Sequence, residues 1–337
     1  MPPSLKDAAR TARPAAEVEA AIQGYRAPYE ASGRAPEGDA QVANVVQYYD
    51  LVTDFYEWGW GQSFHFAVRR PGDTLASAIE EHETWLAREG RLGAGVRAVD
   101  LGCGVGGPMR FLARTTGAHI TGVNLNRTQL TRARARADAE GLADRIALVQ
   151  SDFATLPFPD ASVDCVYAIE ATCHAPDRAR VFAEAARVLV PGGRFVGYEW
   201  CTTERYDRSN PAHQRVCREI EEGNALPPLA SPAEVDAALR AAGLELIEGR
   251  DIRADGHPST PWWMALAGEG GWRALPRTPV GRAVTGRLVR ILEALGVAPA
   301  GATEVSALLN RAADGLVAGG KLDIFTPMYR WSAVKPG

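Results

Sequence analysis

Two rhythms of apolar residues alternate along the chain. Short runs at Val99–Leu101, His119–Val123, Ile146–Gln150, Val163–Ile169, Arg194–Trp200, Leu244–Arg250 and Phe325–Val334 read as strands. Between them lie segments with helix signals. Pro108 opens one helix, Asn126 with Gln129 and Ser231 with Glu234 form capping boxes, and Gly141 and Gly243 close the helices that those boxes begin. Another helix is predicted over Asp73–Glu89, and a Pro191-Gly192-Gly193 turn launches the strand at Arg194. Strands alternating with helices predict an α/β protein with a doubly wound, mostly parallel sheet. Beyond about residue 255 the alternation breaks, and helices at Val280–Leu295 and Glu304–Val317 form an insertion before the last strand. Residues 1–40, rich in Ala, Pro, Arg and Gly, predict a flexible arm or loose helix. The core then runs over 41–254 and a further region over 255–337.

The first strand runs into Asp100-Leu101-Gly102-Cys103-Gly104-Val105-Gly106-Gly107-Pro108, a glycine-rich turn followed by a helix start. Glycines let the backbone approach a ligand closely, and the new helix presents free N–H groups to it. Gly102, Gly104 and Gly107 satisfy the spacing of a dinucleotide fingerprint, but that site needs a carboxylate about 20 residues on, after the second strand. Asn124 stands there instead, while the acids are Asp100 in the first turn and Asp152 after the third strand. This pattern resembles the S-adenosylmethionine-dependent methyltransferases. The resemblance implies a Rossmann-like sheet of seven strands, with the first acid serving the methionine end of the cofactor, a polar group after the second strand the ribose, and Asp152 the adenine amine.

Tyr48 to Phe66 packs eight aromatic rings and a histidine into 19 positions of a chain that is 8% aromatic. A loop-like, glycine-punctuated segment of this kind predicts the wall of an apolar pocket. Glu57 and His65 are embedded in it, and an unpaired charge there is costly. Opposite a sulfonium methyl donor, such a pocket suits methylation of an alkene. The carbocation formed would be stabilised by aromatic faces, by about 2 kcal/mol each when desolvated. The cation must then lose a proton to a base. Glu170 and His174, four apart after the fourth strand, are candidates able to share one face of a helical turn.

Composition narrows the classes. A chain of 337 residues, 46% hydrophobic, has ample core for one large or two modest domains. A net charge of −4 without a basic, aromatic-laced patch argues against nucleic acid as partner. The first 40 residues lack the apolar stretch of a signal peptide, and no run is long and apolar enough to span a bilayer, so a cytoplasmic protein is expected. Five scattered cysteines form neither a disulfide framework nor, with histidine, a metal site.

Three segments carry a closer resemblance. Tyr56-Glu57-Trp58-Gly59-Trp60-Gly61-Gln62-Ser63-Phe64-His65-Phe66, Ile169-Glu170-Ala171-Thr172-Cys173-His174-Ala175-Pro176 and Tyr198-Glu199-Trp200-Cys201 are similar to the signature regions of the sterol 24-C-methyltransferases. Phe325-Thr326-Pro327-Met328 fits the same family. The resemblance implies methylation of a side-chain 24(25) alkene in a sterol or triterpenoid, a 1,2-hydride shift and loss of a proton, with S-adenosylhomocysteine as by-product. It implies that Tyr49, Ser63, Asp100, Gly102, Cys103, Gly104, Asn124, Leu125, Asn126, Gln129, Asp152, Phe153 and Ile169 line the cofactor. Tyr56 would act on the cation, and Trp58, Trp60, Phe64 and Phe66 would face cation or sterol. Glu57, His65, Glu170 and His174 are the candidate bases, and nothing in the sequence separates them. Tyr198 either borders the cavity or belongs to the core, and Trp262 either forms a lid or packs beneath a loop. The resemblance further implies a homo-oligomer in transient contact with a membrane surface, although no strongly amphipathic basic helix is evident. Two other readings stay open: an O- or N-methyltransferase of a smaller natural product, and a non-catalytic sterol-binding protein.

Overall fold

The computed structural model describes residues 15–269, 278–295, 298 and 301–337, without the side chains at 15, 16, 58, 279, 280, 282 and 283. In chain order the helices and strands are α1 (Ala15–Ser32), α2 (Gly38–Trp60), α3 (Leu75–Glu89), β1 (Arg97–Leu101), α4 (Gly107–Thr116), β2 (His119–Asn124), α5 (Arg127–Ala139), β3 (Ile146–Gln150) and β4 (Val163–Ile169). There follow α6 (Arg178–Val188), β5 (Leu189–Thr202), α7 (Pro211–Gly223), α8 (Pro232–Ala241), β6 (Glu245–Asp251), α9 (Pro279–Ala294), α10 (Ala302–Lys321) and β7 (Phe325–Val334).

Local chemistry sets these boundaries. Thr74 with Ser77, and Ser231 with Glu234, cap α3 and α8 reciprocally. Asn126 accepts the Gln129 amide at the start of α5, but the Gln129 side chain turns away and accepts from Asn124, so that box is half formed. β5 begins five residues earlier than its glycine turn predicts, because Leu189 already pairs with Val163 of β4, and the Gly192 amide then bonds to the Lys335 carbonyl.

The chain divides into two compact units. The first comprises Met1–Gly61, Glu204–Leu229 and Trp262–Phe325. Its core joins Val18, Ile22, Tyr25 and Tyr29 of α1 to Tyr48, Leu51 and Val52 of α2, and to Val305 and Leu308 of α10. Residues 15–32 are therefore a packed helix and not a mobile arm, whereas 1–14 lie outside the described residues. Likewise the aromatic segment, expected as a loop, is helical through Trp60 and ends where Gly61 turns to φ 91°. The helical insertion between the last two strands belongs to this unit, with α10 packed along α7.

The second unit comprises Gln62–Thr203, Ala230–Pro261 and Thr326–Gly337. Its seven strands lie in the order β3-β2-β1-β4-β5-β7-β6, with β1 to β5 paired in parallel and β6 antiparallel to β7. The strand order reverses between β1 and β4. Such a switch point opens a crevice at the carboxyl ends of the strands.

Candidate active site

The reversal brings together the turn after β1 and the loops after β2, β3 and β4. The amides of Gly102 and Cys103 both donate to the Val123 carbonyl, tying the glycine turn to the end of β2. Gly102 is left-handed, and a Cβ there would lie 2.5 Å from the Ala171 Cβ, so the turn after β1 and the loop after β4 nearly touch. Gly104, also left-handed, faces open space. Asp100 is buried beside this turn, and burial pushes its carboxyl up to about 7. Half-buried Asp152 accepts the Ala154 amide at 2.8 Å, which fixes it at the end of β3 next to half-buried Phe153. Asn124 donates to Gln129 at 2.8 Å, and the Leu125 carbonyl accepts from Gln150. Half-buried Ile169 ends β4.

These residues fit a cofactor whose amino-acid end carries an ammonium group. A buried carboxyl whose charge is penalised is what an ammonium group would stabilise, and Gly104 leaves room for a ligand against the backbone.

Gln62 to Phe66 run over the same crevice. A Cβ at Gly107 would collide with the Gln62 carbonyl and lie 2.7 Å from Ser63 Oγ, so this glycine admits the segment to the head of α4. Buried Arg110 reaches from α4 to Gln62, to the Val105 carbonyl at 2.9 Å and to Glu140 at 2.8 Å. Ser63 Oγ donates to Glu83 Oε1 at 3.0 Å. The His65 ring is flanked by two acceptors, with Nδ1 2.9 Å from the Phe66 carbonyl and Nε2 3.3 Å from Glu83 Oε1. An imidazolium satisfies both. Burial opposes that charge, but the hydrogen bond and charge of Glu83 outweigh it, and the His65 pKa lies above its usual value.

Glu170 holds the other side. Its Oε1 accepts the Phe66 amide and its Oε2 accepts the Trp200 indole N–H, each at 2.7 Å. Phe66 packs on Trp200 with ring centroids 5.8 Å apart. The carboxyl is buried, and desolvation pushes it up to about 8 against these two bonds and the His65 charge. Glu170 stands at φ 51°, a left-handed conformation that costs a non-glycine residue roughly 1–3 kcal/mol. That conformation ends β4 before a short 3-10 turn at Thr172–His174, so Glu170 and His174 do not share a helical face as their spacing predicts. His174 is buried in that turn, and Phe64 is half-buried.

Tyr198 is a core residue. It is buried with its ring 4.9 Å from His82 and 5.2 Å from Trp85, and its hydroxyl donates to the His82 carbonyl. His82 Nε2 accepts the Val68 amide, and burial together with the neighbouring His65 charge lowers its pKa to about 3.

In the first unit, the Tyr56 and Tyr48 hydroxyls share a hydrogen bond of 2.8 Å, and the Tyr49 and Tyr56 rings lie 6.5 Å apart. Glu57 is buried and Trp60 half-buried, while the Trp58 side chain lies outside the described residues. Half-buried Trp262 packs at 5.7 Å on Phe325 and against Gly320 within this unit.

Sequence reasoning missed Glu83 and Arg178. Glu83 shares a helical stripe with buried Ile79 and Leu86, and an acid on an apolar stripe is the signal that could have found it. Half-buried Arg178 pairs with fully buried Glu199, 3.3 Å away, beside Thr172, which donates to the same carboxylate at 2.6 Å.

The fold and this crevice define an S-adenosylmethionine-dependent methyltransferase. Residues 99–197 match the methyltransferase domain model and residues 272–337 the sterol methyltransferase C-terminal model. The chain is 44% identical to cycloartenol-C-24-methyltransferase 1 of Oryza sativa subsp. japonica, covering 87% of this chain and 85% of that one. It is 42% identical to sterol 24-C-methyltransferase ERG6 of Saccharomyces cerevisiae, with coverages of 86% and 77%. Among solved structures it resembles the cyclopropane synthase MmaA2 from Mycobacterium tuberculosis, with a TM-score of 0.67 at 18% identity and coverages of 86% and 97%, a likeness of fold alone. The chain belongs to the sterol 24-C-methyltransferase family.

Two substitutions probe this geometry. Gly107→Ala must displace the Gln62–Ser63 backbone, so calorimetric affinity for S-adenosylhomocysteine should fall at least tenfold, with a stability loss of about 1–3 kcal/mol. Unchanged affinity would show that the segment yields freely. Glu170 binds its proton more tightly folded than unfolded, so its contribution to stability is greatest at low pH and declines as pH rises from about 4.5, the usual glutamate range, to about 8. Denaturant unfolding should therefore show the stability of the wild type falling relative to that of Glu170→Gln across this window. A difference that changes in the opposite direction would contradict the burial argument.

Proposed function

We propose that the protein transfers a methyl group from S-adenosylmethionine to the side-chain 24(25) alkene of a sterol or triterpenoid, followed by a 1,2-hydride shift and loss of a proton. The observation that carries this reading is the identity of 41–44% over most of the chain to relatives named for C-24 methylation of sterols and cycloartenol. S-adenosylmethionine supplies, when bound, an electrophilic methyl group on a sulfonium sulfur. Asp100 would meet its amino-acid end, Asn124 and Gln129 its ribose, and Asp152 its adenine amine, with Gly102, Cys103 and Gly104 against its backbone-facing side.

Water would quench a carbocation, so the residues around the acceptor must exclude it. Phe66 and Trp200 supply an apolar wall for this purpose. Glu170, with both oxygens engaged by N–H donors, serves in this reading to position that wall. His65, flanked by two acceptors, serves as a held cation and not as the base. The proton acceptor is then sought at Glu57 and His174. The reading also takes the protein as a cytosolic homo-oligomer that meets its substrate at a membrane.

Incubation with labelled S-adenosylmethionine and a 24(25)-alkene sterol should place label in a 24-methyl or 24-methylene product. Transfer only to a heteroatom acceptor would replace the reading with O- or N-methylation. Asp152→Ala should weaken cofactor binding by about 1–3 kcal/mol in calorimetry, since it removes an acceptor from a desolvated pocket. Unaltered affinity would remove Asp152 from the adenine site. Tyr56→Leu should lower kcat far more than it raises KM for the sterol, because a ring that stabilises a cation acts in the transition state. Equal effects on both would make Tyr56 an ordinary wall.

A further inference from the structure

Six large apolar side chains are exposed among the described residues, and four of them fall on or at the end of one helix. Val284, Leu288, Ile291 and Leu295 of α9 and its C-cap follow each other at intervals of four, three and four, which places them on a single stripe. They are 52–70% exposed. The helix is pinned from behind. Glu293, its one acidic residue, accepts from the Gly301 amide at 2.6 Å and from the Thr303 amide and hydroxyl at 2.9 and 2.5 Å, at the head of α10. Val289 and Leu292 are half-buried, while Arg287 and Arg290 are exposed beside the stripe. The acid is thus engaged with α10, and the outward face combines four apolar side chains with two guanidinium groups.

We propose that this face of α9 docks the protein on the surface of an anionic phospholipid bilayer. The two arginines supply the charge complementarity, and the apolar stripe suits insertion between headgroups and acyl chains. At 16 residues the helix would be about 24 Å long, and no described helix is long and apolar enough to cross a membrane, so α9 lies on the surface. The proposal rests on the reading that the substrate is a sterol, a molecule that partitions into lipid and must be collected there. It also supplies the amphipathic basic helix that was not evident from the sequence.

The test is flotation of the full chain with sterol-free vesicles, either phosphatidylcholine alone or phosphatidylcholine with about a third phosphatidylserine. The wild type should float with the phosphatidylserine vesicles in a salt-sensitive manner. Replacing Leu288→Glu with Ile291→Glu should lower the partition coefficient at least tenfold. Arg287→Gln with Arg290→Gln should lower it about fivefold per arginine, and it guards against misfolding of the first pair. Both variants should retain their circular dichroism and their binding of S-adenosylhomocysteine. Failure of the wild type to float on either vesicle, or equal flotation of the wild type and both variants, would overturn the proposal. So would light scattering in which the glutamate pair splits an oligomer into monomers, since the stripe would then be a face between copies. No methyl transfer is read in this assay, so absent turnover with intact flotation would sink the sterol reading alone.

Discussion

Two hydrogen bonds to one buried carboxyl, from the Phe66 amide and the Trp200 indole, hold the end of the aromatic motif to the carboxyl edge of the sheet. A carboxyl pays heavily for burial, and this one also sits on a left-handed backbone. Both penalties persist because the surroundings fix the group from several sides. Trp200 comes from β5, Phe66 from the segment following α2, and the Glu170 amide itself donates to the Tyr198 carbonyl. One side chain thereby sets the distance between two of the three motifs that mark the family.

The second tie runs through Glu83. It receives the Ser63 hydroxyl and faces His65, so the same short segment is gripped from the helix side and from the sheet side. Gly107 and Arg110 grip it from the cofactor turn. Residues 62–66 touch both the helix that follows the glycine turn and the Phe66–Trp200 pair, and rings and polar groups are mixed within them. A purely apolar segment would have no handles to fix it. A purely polar one would admit water.

Much of this was legible locally. Strand and helix limits fell within a few residues of their apolar runs and caps, because those signals depend on near neighbours. The gathering of the glycine turn, Asp100, Asn124 and Asp152 at one edge of the sheet was legible because each lies at the end of, or just after, a predicted strand of the same parallel sheet. The sequence leaves α1 between a flexible arm and a loose helix because Gly24 and Pro28 interrupt it and because it buries tyrosines, whose hydroxyls read as polar. Gly59 and Gly61 made α2 look like a loop, although only Gly61 ends it. The apolar stripe of α3 flags Glu83 as buried, but its partners Ser63 and His65, like the rings that surround Tyr198, are contacts across the fold that no local pattern encodes. The exposed stripe of α9 could be read as a helix from its periodicity, but only the structure shows which side is left uncovered.

Amide hydrogen exchange at Phe66 tests the central tie most directly, since that N–H ends on the Glu170 carboxyl and on no strand ladder. In the wild type the amide should be strongly protected, and Glu170→Ala should abolish the protection while the amides of β1 and β4 keep theirs. Rapid exchange at Phe66 in the wild type, or protection that survives the substitution, would contradict it.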